Sequence, residues 1–97
     1  MTLVELNMTQ LNAILVANKI KEIISERLDL DIPIAGINEI AGLASEVGVD
    51  SIGFIELKFQ CEEEFKIQID EEEFVPEHFF SVDTLSRFIL EKSGALQ

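Results

Sequence analysis

Ninety-seven residues suffice for one domain around one small core. A hydrophobic fraction of 47% sets the chain apart from disordered tails. Nineteen acidic against seven basic side chains give a net charge of -12, a field that repels nucleic-acid backbones and anionic lipid and favours encounter with basic protein surfaces. Seven Phe and no Trp or Tyr leave the core to aliphatic and phenyl groups. Cys61 is the single cysteine, so an intrachain disulfide is excluded. Glu5, Asn7 and Asn12 interrupt the apolar residues of the N-terminus and no basic residue precedes them, unlike a signal peptide. No apolar run reaches the roughly 20 residues that span a bilayer. The expected address is the cytosol, with neither nucleic acid nor membrane as partner.

Residues 1–6 read as a weakly ordered lead. Asn7 and Gln10 have the spacing of a capping box, with Leu6 and Leu11 placed as a hydrophobic staple. Leu11, Ile14, Leu15, Ile20, Ile23, Ile24 and Leu28 recur at helical spacing, which predicts an amphipathic helix over about residues 8–28. Residues 29–49 are a long connection with Pro33, Gly36, Gly42 and Gly48. Ile32, Ile34, Ile37, Ile40, Leu43 and Val47 make it apolar enough to lie on the core, with a helical turn or two within 37–45. A connection this long in a small domain is unusual and often functional.

Asp50 is a good N-cap for a helix over about residues 51–65. Phe54, Leu57, Cys61 and Phe65 form one apolar stripe of that helix; Ile52, Ile55 and Phe59 form a second. Glu56, Gln60 and Glu63 share the remaining face. Phe65, Ile67 and Ile69 alternate as in a strand. Without a partner strand they are expected to form an extended loop on the bundle. Residues 70–73 read as a solvated acidic run, and Phe74 to Phe80 as apolar anchors around Pro76 with one short helix near 77–80. Val82, Leu85, Phe88 and Ile89 predict a final helix over about residues 82–92, beyond which residues 93–97 fray.

The informative segment is Gly48-Val49-Asp50-Ser51-Ile52-Gly53-Phe54-Ile55-Glu56-Leu57, followed by Cys61-Glu62-Glu63-Glu64-Phe65. It resembles the Gly-x-Asp-Ser-Leu signature of acyl and peptidyl carrier proteins, over about residues 18–92. The position of the Asp-Ser pair after an apolar loop, with Glu56, Leu57, Glu63 and Phe65 in register, makes the match specific. The resemblance implies an all-α four-helix bundle, with three longer helices and one short one, as a single carrier domain over residues 1–97. It implies 4′-phosphopantetheine, transferred from coenzyme A to Ser51 by a phosphopantetheinyl transferase, whose thiol carries an acyl group as a thioester. Asp50 would support the modification by helping to hold the transferase's magnesium ion. The helix 51–65 would be the recognition helix, with Glu56, Glu62 and Glu63 facing basic patches of acyl-loading and acyl-processing enzymes. The carrier itself catalyses nothing, and a monomer is expected.

Ser51 also suits the chemistry by position, because free N–H groups and the positive dipole end at a helix start favour a phosphodiester. An ordinary helix-start serine, worth about 1 kcal/mol at most, is the plain alternative. The stripe of Ile52, Ile55 and Phe59 suits an acyl groove, the apolar centre of a docking surface, or core. Departures from the fatty-acid-synthesis pattern are Gly53 in place of an acidic residue, Asp70 in place of Pro, the stretch Phe74 to Leu85 and a longer N-terminal lead. They point to a stand-alone carrier of a specialised polyketide or lipid pathway. The rivals are an aminoacyl or peptidyl carrier and an unmodified acidic helical adaptor. His78, the only histidine, reads as a surface residue, and Cys61 as a small buried hydrophobe rather than a nucleophile. Neither Glu62–Glu64 nor Asp70–Glu73 has the ligand spacing of an EF-hand, so no specific metal site is expected.

Overall fold

The computed structural model describes residues 8–93, with side-chain surroundings from residue 12 onward. The expected capping box and staple at residues 6–11, and the tail beyond residue 93, lie outside the described residues. Three helices carry the architecture: α1 over Met8–Arg27, α2 over Ser51–Phe65 and α3 over Val82–Ser93. No strand occurs among the described residues, so the fold is the expected all-α bundle with three longer helices.

Burial follows the helical period. Ala17, Ile20 and Ile24 on α1, Leu57 and Cys61 on α2, and Val82, Leu85 and Ile89 on α3 form one aliphatic core. Ile14 and Leu15 were expected on that core but stand exposed.

The long connection is only partly core. Ile37, Leu43 and Val49 are buried, whereas Ile34 and Ile40 face outward. Its helical turns fall at Ile34–Gly36, just before the stretch 37–45, and at Leu43–Val47, which begins inside it and runs past its end. Gly42 is extended, at φ -63° and ψ 125°, and separates them. Two backbone bonds tie the connection to the start of α3: Leu43 N–H donates to Phe80 O at 2.7 Å, and Asp83 N–H to Glu39 O at 2.8 Å. Ser25 Oγ donates to Ile32 O at 2.6 Å, which holds the chain where it leaves α1.

After α2, Lys66 takes the left-handed conformation at φ 56° and closes the helix with a bond to Glu62 O. Residues 67–70 form neither helix nor strand, with Ile69 buried and Ile67 packed against the core. The short helical element that follows is a 3-10 turn at Glu71–Glu73 and does not lie at 77–80. The reason lies in the neighbours. Phe80 O is taken by Leu43 N–H, and Ser81 caps α3, its Oγ accepting from Thr84 N–H at 3.1 Å while Thr84 Oγ1 accepts from Ser81 N–H at 3.0 Å. Those bonds hold the chain before α3 in turns. The acidic run is likewise not plain solvated surface. Glu73 Oε1 accepts from Asp70 N–H at 3.0 Å and pairs with Lys92 Nζ at 2.8 Å.

Candidate functional site: the start of α2 and its cleft

The chain reaches Ser51 through a tightly bonded corner. Gly48 sits at φ 97°, a conformation strained for any side chain, and its N–H donates to Leu43 O at 2.9 Å. Val49 is buried beside it and donates to the same carbonyl at 2.8 Å. Asp50 is extended, and its Oδ1 accepts from Gly53 N–H at 2.7 Å, which is the predicted N-cap. Gly53 belongs to this corner. A Cβ there would stand 3.0 Å from Val49 Cγ1 and 3.2 Å from Asp50 Oδ1. An acidic side chain at position 53 would therefore crowd the turn that sets Ser51.

Ser51 is the first residue of α2 and is exposed. The amides of Ser51 and Ile52 lie in the first turn, where a helix supplies no acceptor of its own. Ser51 also lies on the rim of a cleft of about 570 Å³. Ala44 and Ser45 of the connection, Phe54 and Ile55 of α2, and Phe74, Val75, Pro76, Phe79 and Phe80 of the segment before α3 line it with Ser51. An exposed hydroxyl at a helix start, beside an open and largely apolar cleft, fits a phosphodiester-linked flexible arm.

The remaining sequence-predicted residues separate by surroundings. Ile52, Ile55 and Phe59 are 77%, 47% and 53% exposed, so this stripe is not core. Ile55 alone of the three lines the cleft; Phe59 is partly shielded by Lys58 Nζ, 4.8 Å from its ring centre. Glu56 accepts from Gln60 Nε2 at 2.7 Å along the helix, and Glu63 stands exposed. Glu62 has an internal task. Its Oε2 accepts from Ile69 N–H at 2.8 Å and lies 3.4 Å from Lys58 Nζ, tying the extended segment to α2.

Two other expectations meet the structure. Cys61 is buried, and burial first, then Glu62 and Glu64, push its thiol up to about 12. It is an inert core group at neutral pH. His78 is not a plain surface residue: its ring stacks on Phe88 with 4.2 Å between centres, and Nδ1 lies 2.9 Å from Glu73 O. The Phe-rich lining of the cleft is what sequence reasoning missed. Its signal was a Phe-rich stretch with Pro76 and no helical period, read only as anchoring.

Comparison with known proteins gives a consistent result. Residues 18–89 match the family described as phosphopantetheine attachment site. The chain is 34% identical over 80 residues to an acyl carrier protein of Phenylobacterium zucineum, covering 82% of this chain and 96% of that one. An acyl carrier protein of Caulobacter vibrioides is 32% identical over 79 residues, with 81% and 96% covered. The aminoacyl carrier protein 2 of Bradyrhizobium diazoefficiens is 30% identical over 83 residues, with 86% and 92% covered.

Proposed function

Given that this chain belongs to the family of carrier proteins with a phosphopantetheine attachment site, we propose that Ser51 bears the arm and that the protein passes an acyl intermediate between biosynthetic enzymes. Proteins of this family carry covalent 4′-phosphopantetheine and act as carriers rather than catalysts. The arm's thiol supplies the thioester linkage on which the acyl group travels. The observation that carries the assignment is the exposed Ser51 hydroxyl, set by the Asp50 cap at the start of α2 and opening onto the apolar cleft. Asp50 keeps a second carboxylate oxygen outside the cap, and this is the group we assign to the transferase's magnesium ion.

The partners are a phosphopantetheinyl transferase and loading and processing enzymes with basic docking patches. We assign docking to α2, with Ile52, Ile55 and Phe59 as its apolar part and Glu56, Glu62 and Glu63 as its charge. Such a shuttle leaves each enzyme quickly, which suits a monomer with a small interface, below roughly 1,200 Å². Among the described residues no helix is long and apolar enough to cross a membrane, which is compatible with a cytosolic carrier. Gly53, Asp70 and the irregular Phe-rich wall favour a specialised polyketide or lipid pathway over housekeeping fatty acid synthesis.

The test is intact mass after incubation with coenzyme A and a broad-range transferase. The wild type gains one phosphopantetheine; Ser51→Ala keeps its circular dichroism and gains none. A wild type that gains nothing supports the unmodified adaptor, and a modified alanine variant moves the site elsewhere. The likeness to an aminoacyl carrier protein supports a second reading, in which the cargo is an amino acid. Loading by an adenylating enzyme rather than an acyltransferase distinguishes the two.

A further inference from the structure

Two of the side chains that line the cleft are polar, those of Ser45 and Ser51, and the rest are apolar. Once Ser51 Oγ enters a phosphodiester it has no proton to donate. The Ser45 hydroxyl is then the one side-chain donor of the lining. Ser45 is exposed and sits in the turn Leu43–Val47. That turn is fixed on every side. Glu46 and Val47 N–H donate to Gly42 O at 2.9 and 3.1 Å, and Gly48 and Val49 N–H donate to Leu43 O at 2.9 and 2.8 Å. Leu43 N–H ties the turn to Phe80 O at 2.7 Å. The backbone that carries Ser45 is therefore continuous with the corner that sets Ser51.

Gly42 shows what this turn makes room for. Its φ of -63° and ψ of 125° suit any residue, so its missing side chain answers to space rather than to conformation. A Cβ there would stand 2.5 Å from Ser45 Oγ and 3.4 Å from Phe80 Cε1. The hydroxyl thus occupies a place that a larger residue at position 42 would contest. It gains no internal bond for doing so. Ser45 Oγ has no hydrogen-bond partner among the described residues, and Gly42 N–H goes to Glu46 Oε2 at 3.3 Å. The 4′-phosphopantetheine arm brings amide groups to this site. An amide laid against phenyl and aliphatic surface loses water and is costly unless a partner replaces it. A hydroxyl both donates and accepts, so Ser45 can serve either the C=O or the N–H of such an amide.

We propose that Ser45 is a positioning residue for the arm: its Oγ hydrogen-bonds a pantetheine amide and holds the arm along the Leu43–Val47 turn. This role rests on the assignment of the arm to Ser51. The test is nuclear magnetic resonance on chain loaded to completion with an arm carrying nitrogen-15 in its amides, with loading read by intact mass. In the wild type one arm amide has an order parameter above about 0.6, the upper limit for flexible groups. In Ser45→Ala every arm amide falls below about 0.6, while the backbone amides from Leu43 to Val49 keep their wild-type order. Ser45→Thr, which retains the hydroxyl, restores the ordered arm amide. Mobile arm amides in the wild type, or an ordered one in Ser45→Ala, overturn the role of Ser45 and leave Ser51 as the attachment site. Loss of order in the turn together with the arm would make Ser45 a structural residue and overturn the role as well. A wild type that gains no mass overturns both assignments.

Discussion

Asp50 has two separable jobs, one for each carboxylate oxygen. Oδ1 caps α2 through Gly53 N–H at 2.7 Å. Asn caps as well as Asp, whereas Ala forfeits about 1 kcal/mol. Asp50→Asn should therefore keep the melting temperature, and Asp50→Ala should lower it by a few degrees. If Asp50 also serves the transferase, both variants load more slowly at saturating enzyme. Equal loading by wild type and Asp50→Asn would leave Asp50 a cap and nothing more. Cys61 gives a second test at this scale. A buried thiol pushed up to about 12 should resist iodoacetamide at pH 8 in the native chain and react fully in denaturant, read by mass. Rapid native labelling would mean that α2 does not bury that face.

Glu73 makes the contact between its turn and α3 sensitive to acid. The hydrogen bond from Lys92 lowers its carboxyl below the ordinary value most, with smaller help from the Asp70 N–H and from the charges of Lys92 and His78. A depressed folded value means the carboxylate's contribution is complete above the ordinary carboxylate range and is lost as pH falls through the folded value. The Phe74 and Val75 amides should gain exchange relative to those of Leu57 and Ile89 below about pH 4, the ordinary carboxylate range, after correction for the intrinsic rate.

At the scale of elements, the corner before α2 is the least replaceable part of the backbone. Gly48 at φ 97° is its pivot. A β-branched residue there resists that conformation, so Gly48→Val should cost on the order of 1–2 kcal/mol and slow Ser51 loading beyond what lost stability explains. A loading rate proportional to the folded fraction would show that the corner supports the fold without aiming Ser51. The two stripes of α2 have opposite fates. Leu57 and Cys61 meet α1 and α3 in the core, while Ile52, Ile55 and Phe59 are left on the outside beside Glu56 and Glu63. Surface charge reversal at Glu56 and Glu63 should change stability by no more than about 0.5 kcal/mol. The double variant Glu56→Lys, Glu63→Lys should keep its melting temperature. We expect it to load several-fold more slowly at low salt, with the gap closing as salt rises. A normal rate at every salt concentration would shift docking onto the apolar stripe alone.

Across the whole molecule, the sequence determined what local physics determines. Helical periodicity located α1, α2 and α3 to within a residue, because burial of one face imposes a 3.6-residue repeat on the chain itself. The Asp50 cap was legible for the same reason: its acceptor and donor are three residues apart. The tertiary structure decided everything whose partner is distant in sequence. It chose which α2 stripe to bury, since both are apolar and the packing of α1 and α3 covers only the one with Leu57 and Cys61. It left Ile14 and Leu15 exposed, although both sit at helical spacing with the core residues of α1. It moved the short helical turn to Glu71–Glu73, because Phe80 and Ser81 were already engaged by Leu43 and Thr84. The cleft beside Ser51 joins residues from 44 to 80, and Phe88 and Lys92 of α3 contact His78 and Glu73 of the segment that helps line it. No window of the sequence contains both sides of such a contact, so periodicity and capping rules could not see it.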